Sequence, residues 1–127
     1  MKIRYLIPAL GISGIIVWLS SLPANTLLGN TSTLKQYLAN FAHIPAYALL
    51  SFFWLKSFKT EKRNQNFFPV WALVFIGLLL FAVADELHQL FVSDRTLSEW
   101  DIALDVVGIL FGFYLSLAVT KDKGFIK

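Results

Sequence analysis

Cysteine is absent from the 127 residues, so disulfides, thiolate metal sites and cysteine nucleophiles are excluded. Charge is scarce as well: 15% of the residues are charged, against 57% hydrophobic ones. A soluble domain carries about 25% charge and under half apolar residues. The apolar surplus, with a mean hydropathy of +0.64, must face something other than water, and a bilayer is the simple answer. No internal repeat, heptad seam or low-complexity tract is present. The length suits one domain, residues 1–127.

Four apolar stretches stand out: Tyr5–Leu22, Tyr37–Leu55, Pro69–Leu90 and Asp101–Thr120. Each is near the ~20 residues that cross a ~30 Å hydrocarbon core. Gly29, Asn30, Thr31 and Ser32 mark a turn between the first two, and the run Lys56–Asn66 is the most polar in the chain. Of eleven Lys and Arg residues, only Lys35 and Arg95 fall on one side. Lys2, Arg4, Lys56, Lys59, Lys62, Arg63, Lys121, Lys123 and Lys127 fall on the other. Short basic loops stay cytoplasmic. The expectation is therefore an all-α, four-helix transmembrane bundle, N-in/C-in, multi-pass in the cell membrane. Trp54 and Trp71 would lie near the inner interface, Trp18 and Trp100 near the outer one. Cleavage of Met1–Ala24 as a signal peptide fits less well, because the apolar region is too long and lacks a small-x-small site.

Measured at ~1.5 Å per residue from each cytoplasmic end, Ser20, Ser21, His43, Asp85, Glu86, His88, Asp101 and Asp105 reach one depth. Ser20, His43, Asp85 and Asp105 come out at ~20–24 Å, and the whole set falls in the outer third of the core. Asp101 and Asp105 are i,i+4, as are His43 and Tyr47. Asp85 and His88 are i,i+3, with Gln89 one turn from Asp85. Intramembrane acids are expensive and normally face a protein interior or water, where they mark function. The bland readings differ by residue. Thr96-Leu-Ser-Glu99 and Ser98-Glu-Trp-Asp101 both fit a capping box, which would make Glu99 and Asp101 helix starters. Gly108-x-x-x-Gly112 reads as a close-packing face. Tyr47 has a packing reading, and His43 alone a structural one. Asp105 has no capping explanation.

At these residues the chain resembles the VanZ-like family of small membrane proteins. The resemblance rests on Asp85-Glu86-Leu-His88-Gln89-Leu-Phe91, then Arg95, Ser98, Asp101, Asp105 and Gly108. It is joined by Ala42-His43-Ile-Pro-Ala-Tyr47 and by Trp18-Leu-Ser20-Ser21-Leu-Pro23. Ser93-Asp94 stands where that family often has Pro-Gly, and Ala46 where some relatives have a glutamate. The resemblance implies a cell-envelope role, since the family's namesake is linked to resistance to the glycopeptide teicoplanin. It implies no particular reaction.

The candidate catalytic residues are Asp85, Glu86, His88, Asp105 and His43, the carboxylates as general acid and base and the histidines as proton shuttles. Arg95, Gln89, Asp101, Tyr47, Ser20 and Ser21 are candidate binding residues, with Arg95 placed to hold a phosphate or carboxylate. Without a ligand, Arg95 is expected to pair with Asp101, Asp105 or Asp85, because unpaired buried charge is costly. The same side chains offer N and O ligands suited to a divalent metal, although no compact H-E-x-x-H signature is present. The partners expected are membrane lipid and a lipid-linked or anionic envelope ligand. Nucleic acid is not one, because topology accounts for the basic loop. A small transporter or ligand-binding membrane protein, and a purely structural membrane component, are the alternatives.

Overall fold

The computed structural model describes residues 1–24, 26, 37, 40–58, 67–93, 95, 96 and 98–122, and among these there are helices and turns but no strand. Four helices follow in order: α1 (Ile3–Ser20), α2 (His43–Ser57), α3 (Phe67–Gln89) and α4 (Glu99–Asp122). The expected turn at Gly29–Ser32, the basic run beyond Phe58, and Lys35, Asp94, Lys123 and Lys127 lie outside the described residues.

Three of the helices contain a stretch long and apolar enough to cross a membrane: Ile3–Ser20, Pro69–Gln89 and Glu99–Val119. Their outward faces expose Ile7, Leu10, Leu73, Leu80, Phe111 and Tyr114. Helices apolar on every side behave this way when lipid surrounds them.

The second segment departs from expectation. Its continuous helix starts at His43 rather than Tyr37 and has 15 residues, about 22 Å against a ~30 Å core. Pro45 supplies the reason. Proline has no N–H for the carbonyl of Phe41 and its ring crowds that position. Asn40 and Phe41 are helical, Ala42 keeps φ −66° and ψ −20°, and the ladder resumes where Ala46 N donates to Ala42 O at 3.2 Å.

Contacts along the helices give an up-down-up-down order. Lys2 N donates to Ser57 O at 2.6 Å, joining the start of α1 to the end of α2. At the opposite end, Ser20 meets Asp85 and His43 meets Asp105. The start of α1 and the end of α4 therefore share one end of the bundle. The most extensive helix contact is that of α2 with α4, and the glycine pair makes it. A Cβ on Gly108 would lie 2.5 Å from Ile44 O, and one on Gly112 would collide with Ser51 Oγ and Ala48 O. The close-packing reading of these glycines holds.

The terminal half of the core is apolar and aromatic. Trp71 and Phe113 meet edge to face at 4.9 Å, Phe75 and Phe113 at 5.9 Å, and Trp71 stacks on Phe75 at 5.7 Å. Val74, Leu78, Ala82, Leu50 and Ile109 continue it toward the other end. Trp18 and Trp100 are exposed near the polar end, where a belt would sit. Trp71 is packed instead, and Trp54 donates from Nε1 to Ser13 Oγ at 3.3 Å.

Candidate functional site

Helix α1 stops where Pro23 prevents its continuation, with Ser21 as its last cap and Ser21 N donating to Val17 O. Just inside that end, Ser20 Oγ lies 2.5 Å from Asp85 Oδ1 and 2.9 Å from Ile16 O. A hydroxyl carries one hydrogen, so these acceptors share it. One turn on, the Gln89 amide donates to Asp85 Oδ2 at 3.4 Å and Glu86 Oε1 at 3.3 Å. Its two N–H bonds match those two acceptors. Asp85, Glu86 and Gln89 are all buried.

The start of α4 is capped in an unusual way. Ser98 is the N-cap: Asp101 N donates to Ser98 Oγ at 3.3 Å, the first half of the expected capping box. In such a box the acid three residues on returns a bond to the cap's own N–H. Here Glu86 takes that place from another helix, with Ser98 N donating to Glu86 Oε2 at 3.1 Å. The carboxylate of Asp101 is released, and its Oδ1 is buried without a partner. Glu99 is the first residue of α4 and is exposed. Thr96 is not the cap.

Arg95 overturns its expected pairing. Its Nε donates to Leu22 O at 3.2 Å, Nη2 to Leu19 O at 3.1 Å and Nη1 to Gln89 Oε1 at 3.2 Å. No described carboxylate pairs with it, and the one ion pair among described residues is His43–Asp105. The reason is that α1 ends with free carbonyls and the negative end of its dipole, and has no basic residue in its last turn. Arg95 fills that role and touches the acids only through Gln89.

His43 opens α2 and holds Asp105 of α4, Nδ1 to Oδ1 2.8 Å, with the carboxylate side chain 1% exposed and the imidazole 21%. Nε2 makes no hydrogen bond to a described residue. Tyr47, one turn below, stacks parallel to the His43 ring at 6.4 Å and is 1% exposed. Asp85, Glu86 and Asp105 lie within electrostatic reach of its hydroxyl. Asp101, Glu86 and Asp105 are likewise within reach of His43. Asp101 Oδ1 is buried without a partner, while Tyr47 OH and Asp105 Oδ2, neither in a well-aligned bond, belong to side chains within hydrogen-bond reach of each other.

Two expected residues stand apart. His88 is exposed and contacts Ser21 Oγ through Nε2 at 3.1 Å. The Ser21 hydroxyl donates to Val17 O at 2.6 Å, so His88 is the donor in that contact. This pair sits at the same level as the layer but outside it. The buried set is Ser20, Tyr47, Asp85, Glu86, Gln89 and Asp105, with the half-buried His43, Asp101, Arg95 and Ser98 at its edge. Ser98 and the carbonyls of Leu19 and Leu22 were not among the expected site residues. Pro23, which ends α1, was the signal for those carbonyls. Among the described residues no three His, Asp or Glu side chains gather where they could hold a metal ion.

The VanZ/LLP1 family model matches residues 2–120. No curated protein and no solved structure matches the chain.

Proposed function

The chain belongs to the VanZ/LLP1 family, and on that footing we propose that it is a multi-pass cell-membrane protein of the envelope. Its buried polar layer receives the head of a lipid-linked or phosphate-bearing envelope molecule at the outer leaflet. The uneven distribution of Lys and Arg supports N-in/C-in and, with it, a layer on the outer side. The segment around α2 makes the fourth crossing, which the shared end of α1 and α4 requires if both termini stay inside.

One observation carries the reading: the His43–Asp105 pair. A buried carboxylate that fixes one imidazole nitrogen leaves the other oriented for proton transfer to or from a bound group. His43 is partly exposed while Asp105 is not, so the pair is reached from the histidine side. Arg95 uses three of its five N–H bonds within the protein. The two without a partner among the described residues can meet an anionic oxygen of the same head.

The test is a profile of lipids and wall precursors, with teicoplanin susceptibility, in cells lacking the protein and in cells carrying wild type, His43→Gln or Asp105→Asn. One molecular class should change on deletion, be restored by wild type, and stay unrestored by either variant at normal membrane abundance. Full restoration by both variants would defeat the proposal.

A further inference from the structure

We propose that the start of α1 and the end of α2 together bind the head group of an anionic phospholipid, held by Lys2, Arg4 and Lys56 across a seam of aromatic rings. This surface lies at the opposite end of the bundle from the polar layer and is independent of the function proposed for that layer.

The seam joins two helix ends. Lys2 N donates to Ser57 O at 2.6 Å. Tyr5 of α1 meets Phe53 of α2 at 6.5 Å, and Phe53 meets Phe52 edge to face at 5.3 Å. A cation stands on each outer ring: the Arg4 guanidinium lies 4.9 Å from the centre of Tyr5, and Lys56 Nζ 5.8 Å from that of Phe52. Both distances are within the ~6 Å over which a ring attracts a cation. Arg4, Tyr5, Phe53, Phe52 and Lys56 thus run in one file from α1 to α2.

Long basic side chains at a helix end ordinarily stretch away to water. Arg4 and Lys56 fold back over the rings instead, which keeps two positive charges on the apolar seam. Lys2, exposed beside Arg4, adds a third. The five acids with described side chains, Asp85, Glu86, Glu99, Asp101 and Asp105, all belong to the other end. The described side chains at the seam therefore carry charge of one sign, and the occupant they suit is an anion.

The occupant also has an apolar part. Leu49, Phe52, Phe53 and Lys56 are spaced i, i+3, i+4 and i+7, which makes them one stripe of α2. Leu49 is exposed, so the stripe continues from the cations into the lipid-facing surface. Acyl chains can lie along it while a phosphate oxygen takes charge-assisted bonds from the cations. A free phosphate would leave the stripe unused. A zwitterionic head brings an ammonium of its own, which the three cations repel.

The experiment uses the full chain in detergent and reads binding by native mass spectrometry and thermal shift. The probes are short-chain phosphatidylglycerol, short-chain phosphatidylcholine and glycerol 3-phosphate. Phosphatidylglycerol should bind about tenfold more tightly than either of the others, and added salt should narrow its lead over phosphatidylcholine. The double variant Lys2→Gln/Arg4→Gln should remove most of that lead, while Arg95→Gln, at the polar end, should leave it in place. Both changed side chains are exposed, and the backbone bond from Lys2 to Ser57 does not depend on them. Equal binding of the two lipids overturns the proposal. So does a lead that survives the double variant or falls with Arg95→Gln instead, because the anion is then held elsewhere. Glycerol 3-phosphate binding as tightly as phosphatidylglycerol overturns the lipid in favour of free phosphate. If the double variant does not fold, the wild-type lead and its response to salt decide. None of these failures touches the envelope profile that tests the polar layer.

Discussion

The two halves of the bundle solve opposite problems. Toward the chain termini, Trp71, Phe75 and Phe113 interlock edge to face, and the buried hydroxyls of Ser51 and Ser57 reach backbone carbonyls. At the other end, four acids share one level, and three buried polar atoms make no well-aligned hydrogen bond. Leaving a buried polar atom unmet costs about 1–3 kcal/mol, so the polar half sacrifices stability that the aromatic half supplies. Substitutions should separate the halves: losses in the first should unfold the protein, and losses in the second should silence it.

The largest effect on stability is expected from Phe113→Ala. Phe113 is buried between two aromatic neighbours, and its loss leaves a void worth about 3–5 kcal/mol. Chemical or thermal unfolding in detergent reads it directly. A loss below about 1 kcal/mol would mean the aromatic half is not the stabilising one. Next comes Gly112→Ala, whose methyl would meet Ser51 Oγ and the Ala48 carbonyl of α2. Overpacking of this kind costs about 1–3 kcal/mol. Gly77→Ala is the control, because nothing lies within 4 Å of its Cβ position.

How much of this contrast the sequence discloses depends on whether the deciding contact is periodic. The layer itself is legible, because Asp85, Asp105 and His43 sit at depths fixed by helical rise. The Gly108–Gly112 face is legible for the same reason. The assignment of His88 is not. At about 100° per residue, Asp85, Glu86 and Gln89 fall within one sector, while His88 lies roughly 110° from its centre. A shared i,i+3 spacing with Asp85 hides that rotation. The break at Pro45 is hidden inside an unbroken apolar run. Arg95 misleads for a third reason: charge counting points it at acids, whereas its partners are carbonyls, which every residue has. The exchange of Glu86 for Asp101 at the Ser98 cap is a tertiary event, and the local motif reads the same without it.

A smaller effect tests that exchange. Ser98→Ala removes the hydroxyl that caps Asp101 N and should cost about 1 kcal/mol. Glu86→Gln retains an acceptor for Ser98 N and should cost less than Ser98→Ala. If Glu86→Gln were the more damaging, its charge rather than its acceptor would be holding the two helices together. Unfolding midpoints of the two single variants and the double variant resolve this, since groups sharing one network are not additive.

The smallest stability change is expected where the functional loss is greatest, at Asp105→Asn. The amide keeps an oxygen for His43 Nδ1, which lies 2.8 Å from Asp105 Oδ1, and keeps nearly the same volume. It removes a buried carboxylate whose second oxygen makes no well-aligned bond, and with it a desolvation penalty. Removing one member of a buried ion pair is strongly destabilising when the other stays charged. His43, however, is 21% exposed and as a neutral imidazole keeps its bond to the amide oxygen, so stability should change by no more than about 1 kcal/mol. Function should still be lost, because an amide does not support a charged imidazole. A purely structural layer predicts the reverse: His43 would lose its ionic partner, the midpoint would fall, and any phenotype would follow protein abundance. Measuring abundance, midpoint and the envelope profile on the same membranes separates the two. A fall of several kcal/mol with parallel loss of protein would place Asp105 with Phe113, as part of what holds the bundle together.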